Sequence, residues 1–145
     1  MSRTWVFALA AVMAVAGCTS GRVADAQPVQ FSLNQPFVVE GGQEATLTGD
    51  DLRLRFSDLL EDSRCPKAVE CFWTGQARIG VTAQPDGQEP TRLEFNTNPA
   101  PGQNVQLVTV DGYTVALQSL DPYPETPDES PDLEDYRATL SVAKG

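Results

Sequence analysis

The stretch "LRLRFS", residues 52 to 57, sets Leu52, Leu54 and Phe56 on one side of an extended chain and Arg53, Arg55 and Ser57 on the other. A period of two belongs to a β-strand with one buried face and one wet face. The same alternation recurs down the chain. Ala77, Ile79, Val81 and Ala83 interleave with Arg78, Gly80, Thr82 and Gln84, and Leu93 and Phe95 oppose Arg92 and Glu94. Tyr113, Val115 and Leu117 repeat the rule, as do Ala138, Leu140 and Val142. After the N-terminal segment no stretch holds apolar residues at helical spacing for three turns, so the expected fold is all-β.

The punctuation between these runs points to pairing of neighbours. Pro85-Asp86-Gly87 lies between strands expected at 76–84 and 91–96, and Asp111-Gly112 between 104–110 and 113–120. Asp-Gly between alternating runs is a strong hairpin signal, because glycine accepts the positive φ such turns need. Gly41-Gly42 separates 36–40 from 43–48, and Gly49-Asp50 turns into 51–60. With 29–33 at the start and 136–143 at the end, the count is eight strands, or nine if the last hairpin counts as two. Short strands at this spacing suggest a small antiparallel sandwich or barrel. Residues 29–143 are expected to form it as a single domain.

The N-terminus reads differently. Arg3 precedes an apolar run from Trp5 to Ala16, too short to span a bilayer, which takes about 20 residues. It has the form of an export signal ending in small residues. Its close, Val15-Ala16-Gly17-Cys18, resembles the lipobox of bacterial lipoprotein precursors. The resemblance implies removal of residues 1–17 and attachment of Cys18 to diacylglycerol, with residues 18–28 as a tether. Thr19 follows the cysteine rather than an aspartate, which in a Gram-negative cell implies the outer membrane rather than the inner one.

With Cys18 assigned to the anchor, Cys65 and Cys71 remain. In an exported chain the default is a disulfide between them. A redox pair of the C-x-x-C kind would be closer in sequence, and a zinc site needs four ligands. The loop, "DSRCPKAVECFWTGQA" (62–77), is thus expected to be a staple between the 51–60 and 76–84 strands. Phe72 or Trp73 is expected to cover the disulfide at one end of the core. The functional alternative leaves Trp73 exposed as a platform for a sugar.

Charge and composition narrow the functions. Cleavage before Cys18 leaves 20 acidic and 9 basic residues, net −11, with Lys67 and Lys144 the only lysines. Such a surface excludes nucleic acid as a partner and fits a basic envelope or secreted protein. The chain has no histidine, which removes Ser-His and Cys-His nucleophiles and histidine metal sites. Paired carboxylates remain chemically available, but no pair is singled out. No cofactor is expected. The segment "DPYPETPDESPDLEDY" (121–136) holds four prolines and seven acids and is expected to be an irregular solvated loop. Its metal alternative is a calcium site using Asp128, Glu129, Asp132, Glu134 and Asp135, with Asp128, Asp132 and Asp135 as the first candidates, although the spacing departs from the EF-hand loop.

Ser63-Arg64-Cys65-Pro66, Cys71, Trp73 and Gly75 also resemble a motif of bacterial secreted or lipid-anchored domains without an assigned activity. That resemblance implies an envelope domain and carries over no catalytic residue. The expectation is a lipid-anchored, non-catalytic binding or scaffolding module, with Arg64, Lys67 and Trp73 as its candidate binding surface. The alternative is an inhibitor of a secreted lysozyme or protease, whose rigid 65–71 loop would present Arg64 or Lys67.

Overall fold

Nine strands form where the alternation places them: β1 Val29–Phe31, β2 Phe37–Glu40, β3 Glu44–Leu47, β4 Leu52–Asp62, β5 Ala77–Pro85, β6 Thr91–Asn96, β7 Leu107–Val110, β8 Tyr113–Asp121 and β9 Arg137–Lys144. The computed structural model describes residues 27–99, 102 and 106–145. The expected signal segment, Cys18 and all but the last two residues of the tether lie outside them.

Two sheets face one another as a sandwich. One has the order β1-β3-β4-β5-β6 and the other β2-β9-β8-β7. Leu52, Leu54 and Phe56 of β4 are fully buried, as are Ala77, Ile79, Val81 and Ala83 of β5, while Val115, Ala138, Leu140 and Val142 line the opposite sheet. Burying these side chains is the main favourable term in folding, at roughly 25 cal/mol per Å² of apolar surface. Arg78 and Arg92, on the wet face, pair with Glu94 and Asp58 at 3.3 and 3.2 Å.

The hairpin turns form as expected at three of the four glycine signals. Asp111 and Gly112 both take positive φ, 46° and 77°, the geometry of a tight turn matching strand twist. Gly41-Gly42 is the exception. It is a crossover between sheets, because β2 pairs with β9 rather than β3. In consequence β1 lies parallel to β3, a departure from the all-antiparallel expectation. A chain that leaves one sheet and returns to it beside its earlier strand re-enters in the same direction. The strand expected at 104–110 is described from Leu107.

The sandwich has two functional-looking ends. At one, the β3–β4, β5–β6 and β7–β8 turns meet: the Asp86 N–H donates to the Asp51 carbonyl at 2.6 Å and Gln88 Nε2 to Asp111 Oδ2 at 2.8 Å. At the other, the β4–β5 loop with its disulfide meets the acidic β8–β9 loop. The Lys67 N–H donates to the Pro124 carbonyl at 3.1 Å and the Ala68 N–H to the Glu125 carbonyl at 3.0 Å.

Candidate functional site

The disulfide end begins with two irregularities in β4. Its register against β5 shifts between Phe56 and Asp58 and again between Leu59 and Glu61. Each bulge moves the inward-facing set by one residue. After the first, Leu59 rather than an even-numbered residue stands opposite buried Ile79. After the second, Asp62 stands opposite buried Ala77. Two bulges therefore deliver a carboxylate to the end of the core.

That carboxylate is met by Arg64. Arg64 Nε donates to Asp62 Oδ1 at 2.8 Å and Nη2 to Oδ2 at 2.7 Å, a two-pronged pair with side chains only 7% and 8% exposed. Tyr136 Oη donates to Oδ2 at 3.0 Å and the Arg64 backbone N–H to Oδ1 at 3.3 Å. A carboxylate has about four acceptor sites, so those of Asp62 are filled. The other Arg64 donors reach across the sandwich: Nη1 to the Leu120 carbonyl at 2.7 Å and Nη2 to the Pro122 carbonyl at 2.8 Å. Its guanidinium stands 5.0 Å from the centroid of the Tyr123 ring. Burial, and then the Asp62 charge, push the Tyr136 hydroxyl up to about 12. Among the described residues, every buried side-chain nitrogen or oxygen has a hydrogen-bond partner. Arg64 is thus a clamp between the two sheets. Arg64 is not the exposed binding group that the sequence suggested: four of its five N–H donors are satisfied inside and its side chain is buried, although it forms part of the wall of a cleft beside Trp73.

The loop beyond Arg64 is tied down on both sides. Cys65 and Cys71 are disulfide-bonded with their Cα atoms 5.9 Å apart, and between them the Val69 N–H donates to the Pro66 carbonyl at 3.2 Å, a single turn. Gly75 ends the loop at φ 66°, where a Cβ would come within 2.0 Å of the Ser63 carbonyl oxygen, so only glycine fits. Lys67 stays at the surface, paired with Glu125, whose hydrogen bond raises its pKa.

Phe72 and Trp73 do not cover the disulfide. Phe72 is fully exposed and Trp73 is 63% exposed. The physical reason is that the place is taken: buried Arg64 and Tyr136 already close the core at this end. Trp73 instead lines a cleft of about 440 Å³ between the two loops, with the disulfide, Tyr136, Glu129 and prolines from both loops as further walls.

The acidic loop is more ordered than expected. Leu133–Asp135 form one turn of 3-10 helix, and Asp135 Oδ2 accepts the Asp132 N–H at 3.2 Å. Upstream, Glu129 Oε2 accepts the Glu125 N–H at 2.7 Å. Asp128, Asp132 and Asp135 are not brought together; among the described residues no group of three or more Asp, Glu, His or Cys side chains assembles at ion-holding distance.

Sequence inspection missed Asp62, Tyr136 and Tyr123 as parts of this end and weighed Glu129 only as a calcium ligand. Asp62 lies two residues from Arg64, but nothing local says that both go inside, which depends on Leu120, Pro122 and Tyr136 in distant segments. Compared with protein-family models, curated proteins and solved structures, the chain matches none.

Proposed function

We propose that this chain is a lipid-anchored, non-catalytic module of the cell envelope that presents its disulfide end to a protein partner. The observation that carries the reading is the exposure of Phe72 and Trp73 on a loop whose disulfide turn and ends are tied down. A large apolar pair in water is unfavourable unless something covers it, and aromatic residues set on rigid supports are what protein interfaces concentrate. Clamping by Arg64 and the disulfide means little conformational entropy is lost on binding.

Anchoring follows from the lipobox-like Val15-Ala16-Gly17-Cys18, with the outer membrane as the site in a Gram-negative host. An inhibitor of a secreted lysozyme or protease is the narrower version. With Arg64 buried, it would have to act through Phe72, Trp73 or the ion-paired Lys67.

Fatty-acid labelling of cells tests the anchor: wild type takes up label and Cys18→Ser does not. Recovery of envelope proteins on the immobilised protein tests the surface. Phe72→Ala/Trp73→Ala should lose a partner that an Asp86→Ala/Gln88→Ala pair at the opposite end retains; equal retention by both would refute the assignment. Unimpaired lysozyme and protease rates in its presence would dispose of the inhibitor version.

A further inference from the structure

The geometry points to the chemistry of that partner, and we infer that the cleft beside Trp73 receives an arginine or lysine side chain from a basic protein segment. The inference rests on the binding reading above and names its ligand.

The charges of the cleft do not cancel. Asp62 and Arg64, both in its wall, neutralise one another, while Lys67, outside the wall, pairs with Glu125 and is only a more distant neighbour of Glu129. Glu129 belongs to none of the ion pairs among the described residues, although it lines the cleft. Its loop, residues 121–135, carries seven acids and no base. Trp73, largely exposed, and Tyr136, almost fully buried, also line the cavity. A cation is attracted by an aromatic face and by a carboxylate, and both act more strongly when water is displaced from between them. Arginine suits the arrangement best, since its planar guanidinium can stack on a ring while its edge forks onto a carboxylate.

Size agrees. At about 440 Å³ the cleft is large enough for a side chain with part of its backbone. Pro66, Pro124 and Pro131 stand in its walls. An anionic membrane is the poorer occupant, because the acidic loop would be repelled from its headgroups. A neutral sugar would not match the negative charge of the loop.

Trp73 is the only tryptophan after the signal segment, so its emission reports the cleft. The mature anchored protein in detergent micelles is titrated with an oligo-arginine peptide. In parallel it is titrated with a neutral amino-sugar oligomer and with phosphatidylcholine vesicles. The expected result is a saturable change in Trp73 emission with the peptide alone. Glu129→Gln should weaken binding about tenfold, whereas Glu89→Gln, on the β5–β6 turn, should change it about twofold or less. Equal weakening by the two variants would reduce the effect to general charge attraction and overturn the inference. So would a Trp73 response to sugar or vesicles instead. If an envelope partner is held through Phe72 and Trp73 while the peptide leaves emission unchanged, this inference falls and the binding module stands. Loss of both fatty-acid label and partner would instead remove the reading beneath it.

Discussion

Each end of the sandwich holds a carboxylate, a cation and a phenol, in contrasting surroundings. At the disulfide end Asp62, Arg64 and Tyr136 form a buried trio; at the turn end Asp50 and Lys144 meet the hydroxyl of buried Tyr113 at the surface. Tyr113 Oη donates to Asp50 Oδ2 at 2.7 Å and Lys144 Nζ to the same oxygen at 2.9 Å, but the Lys144 and Asp50 side chains are 54% and 39% exposed. Water screens the second trio and competes for its hydrogen bonds, while the first must satisfy itself from protein atoms. The lesson is that similar contact distances carry different energies. The buried trio determines how the two loops are joined, and through them where Trp73 and the cleft stand.

The largest effect should come from breaking the buried trio. Arg64→Ala leaves Asp62 charged and unpaired inside, at a cost of about 3–5 kcal/mol in urea unfolding. Arg64→Lys should fall between that and wild type, because an ammonium keeps the charge but not the two-pronged geometry. If Arg64→Ala costs no more than Lys144→Ala, the contrast between the ends is mistaken.

Next comes the disulfide. Cys65→Ser should cost about 2 kcal/mol, the loop-closure entropy of so short a ring. The Arg64 clamp should persist without it, so Trp73 emission in the folded variant should stay near that of wild type. A large emission shift would mean that the disulfide, rather than Arg64, positions the aromatic pair.

The trios should also separate in pH. Tyr136 is held neutral up to about 12, above the ordinary phenol near 10. The unfolded chain then loses that proton first, so this stability is complete below about pH 10 and is lost as pH rises toward 12. Tyr136→Phe should flatten the alkaline limb of the stability profile. Asp50 is displaced the other way, down to about 2, chiefly by the Lys144 hydrogen bond and then by Tyr113. Its contribution is present above about pH 4 and disappears as pH falls toward 2.

The smallest effect belongs to Lys144→Ala. With both partners largely in water, the melting temperature should move by about 2 °C or less, and high salt should mask even that. A larger loss at low salt would show that the turn end is held by its charges, and the comparison would need to be redrawn.

Much of the architecture was legible because strand alternation is local. Leu52-Leu54-Phe56 and Ala77-Ile79-Val81-Ala83 show their buried face residue by residue, and Asp111-Gly112 shows its turn by the φ it requires. Cys65 and Cys71 were legible as a pair by the same proximity. The crossover at Gly41-Gly42 was not, since a glycine pair permits a turn without saying which strand lies beyond it. Nor was the swap at the site, where Arg64 goes inside and Trp73 outside, against the ordinary preference of both side chains.

What the sequence determined by itself, then, is the class of fold, the positions of its strands and the staple, all set by contacts between residues near in the chain. The tertiary structure alone decided the two bulges that turn Asp62 inward and the partners that let Arg64 stay there. Leu120 and Pro122 lie 56 and 58 residues from Arg64, and Tyr136 lies 74 from Asp62. Burial of a charge depends on whether its hydrogen bonds can be met, and here Asp62 and Arg64 meet each other's in part while the rest come from the end of β8 and the β8–β9 connection.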